Sequence, residues 1–421
     1  MCIRDRLKFI DLFAGCGGLS LGLMNAGLEG IFAIEKTEDA FKTLIHNLDH
    51  KKIKNGYKWP IWLPQKNMTT RDLLDNYQSQ LQELKDKVDL IAGGPPCQGF
   101  SFAGLRNPND PRNRLTEEYI EIVSIINPKF LLLENVKGFQ AAFKKNGAST
   151  QAYSEYVVER LSNLNKGYKV FSKVLPASLF GVPQPRPRFI MIAVRNDIAQ
   201  KISYTTLGNE EFYQKILQQA DKFKKENNLS KITVLGDAIG DLEIKGKKLI
   251  ECIDSKNFKQ ISYTEPKILN PYLKLIRRNV KKDFMPDSLR IPNHKKETRS
   301  KFEYILQKSI KGHTLSKELR EELHIKKQCF TVLSPKALST TITTLPDDCM
   351  HYSEPRVLTV RENARIQSFP DWFEFKGKYT TGGDRRKIEC PRYTQVGNAV
   401  PPLMAEILGQ SILAMERLIN E

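Results

Sequence analysis

Residues 7–35 read LKFIDLFAGCGGLSLGLMNAGLEGIFAIE, and this stretch decides the fold. LKFIDLF is an apolar run of strand length. AGCGG is a tight glycine turn, and LSLGLMNAG is a helix ending at Gly27. GIFAIE is a second strand, closing on Glu35. A strand that turns through glycines into a helix and returns as a strand is the opening unit of a doubly wound α/β sheet. Working outward, TEDAFKTLIHNL is an amphipathic helix that Thr37 can cap. VDLIAGG (88–94) is a buried strand, TEEYIEIVSIIN a helix and KFLLLENV (129–136) another apolar strand. QAYSEYVVERLSNL is helical, and RFIMIAVR (188–195) is the last strand. The expected fold class is therefore α/β, a mostly parallel Rossmann-like sheet over residues 7–195.

After Arg195 the chain turns polar and lysine-rich, with weak periodicity. Residues 196–352 read as a smaller inserted domain. Residues 353–421 read as a returning segment whose long apolar-periodic C-terminal helix completes the first domain and packs back on its first strand. The chain of 421 residues carries 66 Lys and Arg against 48 Asp and Glu, a net charge of +18. Half of that excess lies within 270–327, where sixteen basic residues face seven acidic ones. So basic a surface implies a polyanionic partner. The seven cysteines include no C-x-x-C pair and no Cys/His group at zinc spacing, which implies a reducing compartment and no metal. No apolar run is long enough to span a membrane. The opening MCIRDR matches no targeting pattern, so none is expected.

Three strand ends carry chemistry. Gly15, Gly17 and Gly18 let the backbone approach a ligand, and the helix that follows offers free N–H groups. Tight turns need glycine in any case. Glu35, about twenty positions on, is placed for ribose hydroxyls. The ligand is then nucleoside-like. Phe13 either lies against a purine ring or packs in the core. Cys97, in GGPPCQGFS, follows two prolines that stiffen the chain beyond a strand end. That is the setting of a positioned, reactive thiol rather than of a packed one. Glu134 ends the neighbouring strand and can donate a proton if its pKa is raised, or else cap a helix. In QPRPR, Gln184, Arg186 and Arg188 alternate, so on extended chain both guanidiniums share a face, suited to a carbonyl oxygen or a phosphate.

These motifs, with RENARIQSFP and QVGNAVPP in order after them, make the chain resemble the DNA (cytosine-5) methyltransferases of bacterial restriction–modification type. The likeness covers about residues 7–195 and 331–421. The stretch between lies where the family carries its variable target-recognition domain. The resemblance implies S-adenosylmethionine as cofactor and duplex DNA as substrate. It makes Cys97 the thiolate that attacks cytosine C6, and Glu134 the group that binds and protonates N3. Arg188 would hold the cytosine O2, with Arg186 supporting the same site. Phe13, Gly15, Gly18, Glu35, Pro96, Leu115, Asn398 and Val400 would form the cofactor pocket. In the loop SFAGLRNPNDPRNR that would close over DNA, Ser101 and Arg112 are candidate contacts, as is Gln98 beside it. Lys281, Lys282, Lys295 and Lys296 would meet phosphates. The target base must leave the duplex to be reached. One departure stands out. At the place of the acidic residue that binds the adenine amino group in the family stands Thr69, with Asp72 three residues on, and that contact is left unassigned. The implied protein is a cytoplasmic, nucleoid-associated monomer, the protective methylase beside a separately acting endonuclease. The competing reading is the tRNA-methylating branch of the same fold, since QCFT at 328–331 is similar to an element of that branch. GFS after the cysteine favours DNA.

Overall fold

The computed structural model describes residues 6–96, 114–141, 144–145, 148–149, 152–382, 385 and 388–419. Its first part alternates β1 (Lys8–Leu12), α1 (Gly18–Ala26), β2 (Glu29–Ile34), α2 (Glu38–Leu48), α3 (Thr70–Glu83), β3 (Leu90–Gly93), α4 (Arg114–Ile126) and β4 (Phe130–Val136). A two-residue pair, β5 (Lys144–Lys145) and β6 (Ala148–Ser149), precedes α5 (Tyr153–Ser162), β7 (Tyr168–Pro176) and β8 (Pro187–Arg195). The sheet runs β2-β1-β3-β4-β8-β7. Pairings among its first four strands are parallel, and β8 is antiparallel to both β4 and β7. Parallel strands covered on both faces must be apolar throughout. Phe9, Ile10, Leu12, Leu90, Ile91, Leu131 and Leu132 are all fully buried. Register aligns Leu12 with Ile34 and Gly93, and Gly93 with Leu133. The carboxyl ends of four strands therefore finish level, with Phe13, Glu35, Gly94 and Glu134 along one edge.

Helix α1 ends at Gly27, whose φ of 114° is the left-handed conformation that glycine adopts without a Cβ penalty. Thr37 is the N-cap position of α2, but its hydroxyl is turned to Glu35 instead of to the helix. One strand escaped the sequence reading. β7, YKVFSKVLP, alternates apolar residues with Lys169 and Lys173, and those lysines gave it a loop-like composition.

The chain falls into two compact units, 1–176 with 187–222 and 404–421, and 177–186 with 223–403. Composition changes at residue 196, but α6 (Asn196–Lys201) and the start of α7 (Asn209–Glu226) stay with the sheet. The rings of Phe171 and Phe212 stack at 4.0 Å, and the Tyr213 hydroxyl donates to the Ile190 carbonyl at 2.6 Å. The second unit holds α8 (Leu235–Ile239), the hairpin β9 (Leu249–Glu251) and β10 (Lys259–Ile261), α9 (Pro271–Ile276), α10 (Lys296–Lys308) and α11 (Lys317–Glu322). It continues with the parallel pair β11 (Thr331–Val332) and β12 (Cys349–Met350), then α12 (Val360–Ile366) and α13 (Arg392–Asn398). Buried ion pairs knit it: Arg356 to Glu362 at 2.7 Å, Arg365 to Asp371 at 2.8 Å and Arg277 to Asp371 at 2.6 Å. Arg361 joins Asp287, so the pairing of Arg361 with Glu362 that their adjacency suggests does not form.

The last helix, α14 (Pro402–Ile419), does return to the sheet unit. There it comes against α1. Gly409 comes so close to Ala26 and Leu23 that a Cβ on it would stand 2.8 Å from the Ala26 Cβ.

Candidate active site

The glycine turn is shaped by positive φ angles at Phe13 (62°), Gly15 (57°) and Gly17 (96°). Gly17 has no alternative, because a Cβ there would meet Leu48 at 2.6 Å. Gly15 is different: among the described residues nothing lies within 4 Å of where its Cβ would be, so they leave the space beside it open. The first turn of α1 has neither a side-chain cap nor an acidic residue. The Glu35 carboxylate, half-buried, accepts from the Gly15 N–H at 3.0 Å and the Thr37 N–H at 2.7 Å. Phe13, Pro96 and Leu115 are half-buried apolar side chains. A carboxylate for a diol, open backbone beside Gly15 and uncapped N–H groups fit an adenosyl amino acid, so the sheet unit's predicted residues suit S-adenosylmethionine. Asn398 is the exposed last residue of α13, and Val400 is buried; both belong to the second unit.

Thr69 has a local role in the helix that follows. It is the N-cap of α3 in a reciprocal capping box, its hydroxyl accepting from the Asp72 N–H at 3.0 Å. The Asp72 carboxylate in turn accepts from Thr69, which holds its pKa below the usual range.

Glu134 and Arg188 meet because β4 and β8 run antiparallel, with Glu134 opposite Ile190 and Val136 opposite Arg188. Arg188 Nε lies 2.8 Å from Glu134 Oε1, and the two side chains are only 15% and 13% exposed. The other oxygen, Oε2, is 3.3 Å from where a Cβ on Gly94 would be. The carboxylate thus leans over the chain that leads through Pro95 and Pro96 to the thiol. The Asn135 amide anchors the same turn, donating to the Pro95 carbonyl at 3.0 Å. Cys97 itself, with Gln98, Ser101 and Arg112, lies outside the described residues.

Arg186 corrects the expectation of two guanidiniums on one face. Its φ of 32° turns the chain out of the extended form on which that alternation rested. Its side chain is buried and donates to the carbonyls of Ile342 at 2.8 Å, Gly397 at 2.7 Å and Ala399 at 3.0 Å. It tethers the QVGNAV turn within the second unit, while Arg188 serves Glu134 in the first. Gln184 is also internal, bonded to Ile342, Ile366 and Gln367. Lys281, Lys282, Lys295 and Lys296 are all exposed.

One residue of the site region escaped sequence reasoning. Asp11, inside β1, is fully buried, and burial pushes its pKa up to about 7. Ser20 donates to it, and the Tyr57 hydroxyl donates on to Ser20 at 2.6 Å. A lone carboxylate within the apolar run FIDLF was the available signal.

Comparison with known proteins shows the family. The profile of the C-5 cytosine-specific DNA methylases matches residues 7–414. The chain belongs to that family. Among relatives, it is 31% identical over 420 residues to the type II methyltransferase M.DdeI of Desulfomicrobium norvegicum, covering 96% of this chain and 88% of that one. It is 30% identical to the type II methyltransferase M1.HphI of Haemophilus parahaemolyticus, covering 97% and 87%. In fold it is similar to a candidate DNA modification methyltransferase encoded in an Escherichia coli prophage, with a TM-score of 0.64, 23% identity and coverage of 99% and 100%. This C-5 cytosine methylase is thus a DNA (cytosine-5) methyltransferase, and the tRNA reading is the less supported one. S-adenosylmethionine is the methyl donor that the family implies. Among the described residues, no helix is long and apolar enough to cross a membrane.

Proposed function

We propose that this enzyme methylates one cytosine within a short, specific duplex sequence, using Cys97, Glu134 and Arg188. The observation that carries this assignment is the Glu134–Arg188 pair leaning over Gly94, three residues before Cys97. Cytosine C5 is a poor nucleophile until C6 is attacked. The Cys97 thiolate adds to C6, and the electron pair of the C5–C6 bond moves into the ring. Glu134 hydrogen-bonds N3 through Oε2 and transfers a proton there, offsetting the charge that builds on the ring. Arg188 keeps Oε1 engaged, fixing the carboxyl plane, and its remaining donors face the base O2. S-adenosylmethionine, when bound, supplies an electrophilic methyl group. After C5 is methylated, its proton leaves to solvent, the S–C6 bond breaks, and Glu134 recovers its proton from N3. Glu35 holds the ribose diol and the α1 N-terminus the amino-acid carboxylate, with Phe13, Gly15, Gly18, Pro96 and Leu115 around them; a cofactor role for Asn398 and Val400 rests on the family resemblance.

The second unit acts in target recognition, and its exposed lysines neutralise phosphates while the base is flipped. Arg186 contributes by tethering its own turn and does not touch the base. The biological setting is self-protection: a methyl mark that blocks a separately acting endonuclease, carried by a monomer in the cytoplasm beside the nucleoid. The test is incubation with unmethylated plasmid and S-adenosylmethionine, followed by bisulfite mapping, with Cys97→Ala in parallel. Protected cytosines in one recurring sequence, absent with the variant, are expected. Methyl transfer into a tRNA pool with none into DNA would overturn the assignment of substrate.

A further inference from the structure

Arg290 departs from five other arginines of the second unit, and unlike Arg186 it is not held by backbone carbonyls among the described residues. Arg277, Arg356, Arg361, Arg365 and Arg392 are each paired with a carboxylate. Arg290 has no carboxylate within ion-pair distance among the described residues. It is instead clamped between two rings, its Cζ 3.8 Å from the centroid of Tyr379 and 4.2 Å from that of Phe258. Tyr379 is itself fixed, since its hydroxyl donates to Asp254 at 2.8 Å. The backbone of Arg290 bridges to Gln260 beside β10, and the Ile291 N–H bonds the Lys259 carbonyl at 2.9 Å. The guanidinium makes one hydrogen bond among the described residues, from Nη1 to Ser255 Oγ at 3.2 Å. The side chain is half-exposed, so its other donors reach solvent.

Half-burying a cation without a counter-ion is unfavourable, and it lowers the pKa of this guanidinium. Cation–π attraction to the two ring faces offsets part of that cost, but it leaves the guanidinium edge with a single hydrogen bond among the described residues. What the arrangement provides is orientation. A planar fork stacked on both faces has lost its rotational freedom before any partner arrives, so little is lost on binding. We propose that Arg290 is a preset DNA contact, presenting its free N–H pair to a paired acceptor edge of the duplex. Guanine, through O6 and N7, and a backbone phosphate both offer such an edge. The inference rests on the proposed role of the second unit in target recognition and names the residue that carries part of it.

Arg290→Gln removes the charge and the fork, and Phe258→Leu removes one ring of the clamp. Both would be compared with the wild type by bisulfite mapping, by affinity for a duplex holding the mapped site at several salt concentrations, and by thermal melting. Arg290→Gln is expected to lose roughly tenfold or more in discrimination or affinity. If the partner is guanine, the mapped sequence relaxes at one position and the salt dependence is kept. If it is phosphate, affinity falls evenly across sequences and the salt slope drops by about one. Phe258→Leu should give a smaller loss of the same kind, and it decides the matter if Arg290→Gln does not fold. A folded variant with unchanged site and affinity, changed only in its melting, overturns the proposal and leaves the clamp structural. A wild type that methylates no DNA would instead overturn the functional reading beneath it.

Discussion

At Glu134, charge and position are separable. Glu134→Gln keeps the side-chain shape but can no longer pass a proton to N3, so the methyl-transfer rate should fall about 10²-fold or more. Binding of S-adenosylmethionine, measured alone, should stay near wild type, because Glu35 and the glycine turn are untouched. Equal losses in both would show that the substitution disturbs the sheet edge rather than the chemistry. Asp11 makes a pH prediction. An aspartate in the unfolded chain ionises near 3.8, whereas burial holds this one to about 7. Its raised pKa means that its contribution to stability is full below about 4, is lost as pH rises toward 7, and is level above. Asp11→Asn should flatten that stretch of the stability profile, read as urea midpoints at pH 5 and pH 7.5; an unchanged slope would refute it. The place of Glu134 at a strand end was legible in the sequence because it closes an apolar run. The role of Arg186 was not, because a single φ of 32° undoes the alternation that made it look like a partner of Arg188.

Among the elements, α14 gives the sharpest test. Alanine normally favours a helix over glycine by about 1 kcal/mol. At Gly409 the added methyl would meet Ala26 at 2.8 Å, and neither helix backbone can give way cheaply. Overpacking of this kind costs about 1–3 kcal/mol, so Gly409→Ala should destabilise the protein despite its helix propensity. A stabilised variant in denaturant unfolding would mean that the α1 packing is looser than the close approach implies. The existence of α1, β2, α4 and β4 could be read from periodicity. The partner of α14 could not, since its apolar face would fit a strand or a helix equally well. β7 hid for a related reason: Lys169 and Lys173 share a face with buried Phe171 and Leu175, and that mixture imitates a loop.

For the whole molecule, charge and titration are divided between the units. Arg277, Arg356 and Arg365 of the second unit are turned inward to carboxylates, while Lys281, Lys282, Lys295 and Lys296 face solvent. Replacing those four lysines with glutamine should weaken DNA binding evenly across sequences. It should also reduce the salt slope by about 0.9 for each phosphate that is no longer neutralised, with the mapped target unchanged. A narrowed or shifted target sequence would instead make them readers of bases. His351 works in the opposite sense to Asp11. Burial lowers its pKa from 6.5 to about 3, so the stability it contributes is present above 6.5 and is lost as pH falls toward 3. His351→Gln should therefore protect against acid over that window, and melting at pH 4.5 against pH 7 checks it.

Local pattern along the chain was enough to determine the sheet class, the glycine turn after the first strand and the basic second region. Apolar runs bury, glycines turn, prolines stiffen and lysines stay wet, whatever lies elsewhere in the sequence. Folding added what depends on residues far apart in the chain. It joined Glu134 to Arg188 across antiparallel strands and Arg186 to carbonyls more than 150 positions away. It also stacked Arg290 between rings of Phe258 and Tyr379. Such pairings carry no periodic signature, because their geometry comes from the packing of whole elements rather than from the residues beside them.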